Sequence, residues 1–77
     1  MPEAFVLIKT QPTCEREVYA TLSSKKCVKE VHVLYGEFDL LARIASDNSK
    51  ELSEVLIKEL RQLYGVRETQ TMITVEY

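Results

Sequence analysis

Two glycines, two prolines, two cysteines and a single histidine are all that the 77 residues hold of those types, and each scarcity closes a class of function. With only Gly36 and Gly65 there is no glycine-rich loop to cradle a phosphate. Cys14 and Cys27 fit neither a metal spacing nor a C-x-x-C redox motif. If Cys14 opens a helix that runs to Ser24, a rise of roughly 1.5 Å per residue carries the two Cα atoms well past the ~7 Å bridging limit. Both therefore read as free thiols, with Cys14 on the apolar face of its helix. His32 lies on the polar side of a strand with no Cys, His or paired carboxylate at ligand spacing, so it reads as a surface or interface histidine rather than a metal ligand or base. No nucleophile and base can be assembled, and no catalytic residue, metal site or cofactor is expected. Basic clustering is missing too: ten Lys and Arg face twelve Asp and Glu, for a net charge of −2, and only Lys25 and Lys26 are adjacent. Duplex DNA needs a clustered basic face. The longest apolar run, Ala4 to Ile8, is far short of a membrane span and no signal-peptide pattern opens the chain, so a soluble, cytoplasmic protein is expected.

What is present is a globular composition, 45% apolar and 29% charged. The expectation is one domain over residues 1–77. A domain of this size buries only about 60% of its unfolded surface, and the abundance of core-type residues points to an oligomer. Ala4 to Thr10 is apolar on both faces, Phe5 and Leu7 against Val6 and Ile8, as in a strand covered on two sides. Pro12 stops it. Thr13 is placed to cap a helix whose Cys14, Val18 and Leu22 form an apolar stripe. Val28 to Tyr35 alternates as a half-exposed strand, and Leu40 to Ala45 is again apolar on both faces apart from Arg43. Asn48 and Glu51 have capping-box spacing before a second helix that buries Leu52, Val55, Leu56, Leu60 and Leu63. Gly65 supplies its left-handed stop, and Val66 to Glu76 is the last strand.

The order β-α-β-β-α-β reads as two copies of one unit, in which Phe5-Val6-Leu7-Ile8 answers Asp39-Leu40-Leu41-Ala42 and Cys27 to Val31 answers Gly65 to Thr69. The predicted fold is α+β, a ferredoxin-like four-stranded antiparallel sheet with two helices on one face. The first and third strands, being most apolar, are expected at the centre. The polar second and fourth are expected at the edges. Because helices cover one face only, the other apolar face calls for a second copy in an isologous homodimer.

The stretch Tyr35-Gly36-Glu37-Phe38-Asp39 breaks two strand-like runs with a glycine and a carboxylate, which places free backbone N–H groups and an anion at the rim of a sheet. Such a rim suits a small zwitterion. Thr69, Thr71 and Ile73 share one strand face, so two hydroxyls stand side by side where a carboxylate could be held. The candidate ligand residues are Gly36, Phe38, Asp39, Thr69, Thr71 and Tyr35. Asp39 would pair with an ammonium, or else serve as a turn residue bonded to its own backbone. Tyr35 and Phe38 would wall the pocket or pack at a dimer seam.

Taken together, Ala4-Phe5-Val6-Leu7-Ile8-Lys9, Glu15-Arg16-Glu17-Val18, Gly36-Glu37-Phe38-Asp39-Leu40-Leu41 and Thr69-Gln70-Thr71-Met72-Ile73 resemble, over nearly the whole chain, the ligand-sensing RAM domain of the Lrp/AsnC transcription regulators. The resemblance implies dimerisation through the sheets, assembly of dimers into rings, and an amino-acid effector held between dimers near Gly36 to Asp39 and Thr69 to Thr71. It also makes full-length Lrp/AsnC regulators candidate partners. The family's N-terminal helix-turn-helix has no counterpart in the sequence, so direct DNA binding does not carry over, and Cys27 stands where the family commonly has glycine at the helix exit. Two other readings stay open: a small dimeric ferredoxin-like enzyme of isomerase or monooxygenase type, and an assembly adaptor that binds no ligand.

Overall fold

A computed structural model describes residues 2–75. The alternation of apolar side chains decides how the strands lie. In β1 (Glu3–Thr10), Ala4, Val6, Ile8 and Thr10 are buried while Glu3, Phe5, Leu7 and Lys9 are half-buried on the opposite face. Val6 and Ile8 therefore point at the helices, and Phe5 and Leu7 at the open side of the sheet. The same period runs through β3 (Leu40–Ala45), where Leu40, Ala42 and Ile44 are fully buried. The edge strands β2 (Val28–Val33) and β4 (Val66–Ile73) have no fully buried residue.

The sheet order is β2-β3-β1-β4, with every neighbouring pair antiparallel. This is the ferredoxin-like arrangement expected from strand polarity, with the two most apolar strands in the centre. On the covered face, α1 (Glu15–Ser23) contributes buried Val18 and Leu22, and α2 (Ser49–Glu54) contributes buried Leu52. The second helix then widens into a π-helical segment, Val55–Leu60, which buries Val55, Leu56 and Leu60. Leu52, Leu56 and Leu60 recur every four residues, which overshoots a 3.6-residue turn, and the wider turns offset that drift. Leu63, Cys14 and Cys27 pack against the same core, and both thiols are free. No helix among the described residues is long and apolar enough to cross a membrane.

Several boundaries differ from the sequence reading. Thr13 does not cap α1: it adopts a left-handed backbone at φ 70°, and Cys14 takes the cap position without a side-chain hydrogen bond. Pro12 forces the chain to turn sharply, and Thr13 absorbs the turn. Asn48 does cap α2, its Oδ1 accepting the Glu51 N–H at 2.7 Å. Glu51 does not reciprocate; its carboxylate instead accepts the Cys27 thiol at 3.9 Å. β2 ends at Val33 rather than Tyr35 because the hairpin loop begins there, and β4 ends at Ile73, although Thr74 N–H still reaches the Glu3 carbonyl at 3.0 Å. The expected end of that strand at Glu76 lies outside the described residues.

Candidate functional site

The loop from Leu34 to Asp39 joins β2 to β3 and is closed by Leu34 N–H donating to the Asp39 carbonyl at 2.8 Å. Gly36 sits at its tip with φ +138°, a conformation that side chains rarely adopt, and open space surrounds the position a Cβ would take. Its role is conformational, and the backbone beside it is accessible. Tyr35 is fully exposed, so it walls no pocket within one chain. Phe38 lies under the Lys9 ammonium, 5.5 Å from ring centroid to Nζ, and Lys9 also pairs with Glu68 at 3.6 Å.

Asp39 is bound more firmly than a turn residue need be. Its N–H donates to the Ile8 carbonyl at 2.9 Å, and its Oδ2 accepts the Thr10 N–H at 2.9 Å and the Thr10 hydroxyl at 3.2 Å. The last β1–β3 pair is Ile8↔Leu40, so Thr10 lies beyond the ladder and takes its partner from a side chain. The alternative of an Asp39 bonded to its own turn is thereby corrected: the partner is a strand end 29 residues away. Both of these carboxylate bonds use Oδ2 and leave Oδ1 available. Thr10 was not foreseen as part of the site. Its signal was there, since the buried period of β1 ends on a hydroxyl that must find a partner.

Thr69 and Thr71 pair with Ile8 and Val6 across β1 and so share the helix-side face, with Thr69 half-buried and Thr71 exposed. Thr71 lines a groove with Ser53, Leu56, Ile57, Arg61 and Ile73, and Thr69 lines another with Arg61, Val66, Arg67 and Glu68. β1 stands between them and β3, and two interstrand spacings amount to about 9–10 Å. One chain therefore does not bring Asp39 and the threonines into a single cavity. A larger cavity, about 730 Å³, lies elsewhere, between α1 and β2, and is lined by none of the candidate ligand residues, though His32 borders it. It is an open groove of mixed charge around Tyr19 and Val33, so size alone does not make it the site. No group of three or more His, Cys, Asp or Glu among the described residues could hold a metal ion.

The open sheet face carries Phe5, Leu7, Leu41 and Met72 in the middle and charges around them. Arg43 pairs with Glu3 at 2.7 Å and with Glu30, whose carboxylate also lies 3.6 Å from His32 Nε2. The Arg43 hydrogen bond and charge hold Glu30 below the ordinary carboxylate range, and the Glu30 and Glu3 carboxylates push Arg43 up.

The strand order and the one-sided helices define a ferredoxin-like α+β domain. Residues 3–76 match the Lrp/AsnC ligand binding domain, and the chain belongs to that family. It is 36% identical over 74 residues to an HTH-type transcriptional regulator of Pyrococcus horikoshii, covering 92% of this chain and 49% of the regulator. The chain thus spans about half the length of the curated regulators it matches. A homocitrate synthase of Saccharolobus islandicus is 30% identical over 79 residues, covering 96% of this chain and 16% of the synthase. Among solved structures, hypothetical protein PHS023 from Pyrococcus horikoshii superposes with a TM-score of 0.92 at 35% identity, covering all of this chain and 93% of that one. A transcriptional regulator from Neisseria meningitidis, solved with L-Met, shares the fold over 97% of this chain and 50% of its own, at TM-score 0.83 and 21% identity.

Proposed function

We propose that this chain senses a free amino acid and assembles through its open sheet face, acting as a ligand-binding module rather than an enzyme. The observation that carries the reading is Asp39: one carboxylate oxygen is fixed by Thr10 and the other is available, beside the accessible backbone of Gly36. A carboxylate held in place is prepared to receive an ammonium without reorganising. Gly36 amides on the same rim, and Thr69 or Thr71 supplied across a subunit boundary, would take the ligand carboxylate. The separation of Asp39 from the threonines within one chain is why assembly belongs to the proposal: a homodimer, and a ring of dimers, would close the site.

The comparisons support sensing from another direction. The same module matches part of an HTH-type regulator and part of a homocitrate synthase, proteins with different outputs. A role in detecting a small molecule fits both settings, and the Neisseria regulator was solved with one. Full-length Lrp/AsnC regulators are the partners this reading favours, in the cytoplasm. Calorimetric titration of the twenty amino acids is the test. Heat from at least one, lost on Asp39→Asn, supports sensing. Silence across all of them favours the ligand-free adaptor, for which the Asp39 to Thr10 bonds are already a sufficient role.

A further inference from the structure

The ion pairs on the open sheet face do not balance at both ends. Toward the end of β1, the Lys9 ammonium pairs with the Glu68 carboxylate at 3.6 Å and leaves no excess charge. Toward its start, one guanidinium serves two carboxylates: Arg43 pairs with Glu3 at 2.7 Å and with Glu30 on the neighbouring edge strand. That cluster carries a surplus negative charge. The register sets Glu30 opposite Arg43 and His32 opposite Leu41, so the imidazole stands on the same face, with its Nε2 3.6 Å from Glu30 Oε1. Histidine is the side chain that changes charge near neutral pH. From β3 it is faced by Leu41, which is uncharged, and from α1 by the groove it borders with Glu15, Arg16 and Tyr19, where one acid and one base leave the count unaltered.

While the face is open, water solvates the surplus, since the His32 and Glu30 side chains are 58% and 46% exposed. A second copy laid on Phe5, Leu7, Leu41 and Met72 excludes part of that water, and an unbalanced charge is costly at such a seam. We propose that His32 couples assembly of this face to proton uptake: as the homodimer forms, each chain takes a proton from solvent onto His32, and the cluster of Glu3, Arg43, Glu30 and His32 becomes neutral. The imidazolium then faces the Glu30 carboxylate as a second cation beside Arg43. This inference rests on the homodimer of the proposed function and names its regulation. Because the dimer binds more protons than two separate chains, association tightens as pH falls through the histidine range and weakens as pH rises through it. The cluster occurs twice in an isologous dimer, so two protons are taken up for each association.

Sedimentation equilibrium of the full chain at constant ionic strength, between about pH 8 and about pH 6, tests the coupling in the range where histidine titrates and carboxylates do not. The dimer Kd of the parent is expected to fall about tenfold from the upper to the lower pH. His32→Gln keeps a polar side chain that cannot take the proton, so its Kd should stay at the weaker value throughout. Glu30→Gln gives a sharper readout, because it removes the surplus carboxylate and leaves Arg43 balanced by Glu3 alone. Its dimer should be tight at the upper pH and weaken toward the lower one, a reversal of sign that loss of packing would not produce. Circular dichroism at each pH confirms that the variants compared are folded. A parent dimer whose Kd ignores pH, a slope retained by His32→Gln, or an unreversed slope in Glu30→Gln each overturns the coupling and leaves the homodimer standing. A parent that is monomeric at every pH overturns the homodimer and the coupling together.

Discussion

Gly65 and Gly36 both have positive φ, but they do so for different physical reasons, and the difference is measurable. A Cβ on Gly65 would lie 2.9 Å from Cys14 Cβ and 3.1 Å from Val18 Cγ2, whereas one on Gly36 would meet nothing within 4 Å. Alanine at either position incurs left-handed strain of about 1–2 kcal/mol; at residue 65 it must also push α1 off the end of β4. Gly65→Ala is expected to lower the melting temperature by about 10 °C or more, and Gly36→Ala by about half as much. Cys14→Ala should not rescue the former, since the nearest contact is Cβ. Gly65 does have the expected positive φ, but the second helix ends earlier, at Leu60 with Arg61 as its cap, so the glycine turns the chain into β4 instead of stopping the helix, and Leu63 packs on the core from that turn. The close approach of Cys14 was not legible, because packing between a helix start and a distant turn leaves no local pattern. Asp39 was legible as a special position for the same reason that its partner was not: Thr10 is remote in the chain. At this scale the proposed function makes its own prediction. Asp39→Asn keeps an acceptor for the Thr10 N–H and removes the charge, so folding should persist while amino-acid affinity falls by roughly ten- to more than a hundredfold in calorimetry. Thr71→Val removes only a neutral donor and should weaken binding less.

Element type and order were readable because period and polarity agree at every step, from the doubly apolar β1 and β3 to the polar edges. The departures occur where one residue must reconcile two elements. Thr13 turns left-handed between β1 and α1, and the second helix widens after Glu54 so that three leucines stay on one face. The edge strand β2 offers a prediction of pH dependence. Glu30 is ion-paired with Arg43 on the adjacent strand, and its folded-state pKa is lowered mainly by that hydrogen bond. A lowered carboxylate pKa contributes stability that is fully present above the unfolded value of 4.5 and is lost as pH falls through the folded value. In the Glu30→Gln variant the melting temperature should therefore be lower near neutrality and should converge with the parent in acid. A constant offset across the whole range would assign the effect to packing. The pair is solvent-screened, so the expected change is small.

For the molecule as a whole, the decisive asymmetry is between the two faces of the sheet. The sequence showed that both faces of β1 are apolar but not which one meets the helices; the structure assigns Val6 and Ile8 to the covered face and Phe5 and Leu7 to the open one. Phe5, Leu7, Leu41 and Met72 form an apolar centre within a ring of charges, the composition of an interface core with a polar rim. The proposed homodimer covers this face, and its test separates folding from assembly. Val6→Asp places a charge among fully buried side chains and should leave the chain unfolded by circular dichroism. Leu7→Asp places the same charge one residue along, on the opposite side, and should leave secondary structure intact while shifting the light-scattering mass from dimer to monomer. Because the amino-acid site is proposed to need threonines from another subunit, this folded monomer should also lose amino-acid binding at the Gly36 to Asp39 loop. Binding retained by a monomeric Leu7→Asp variant would separate the site from the assembly. A parent protein already monomeric at micromolar concentration would remove the dimer from the proposal altogether.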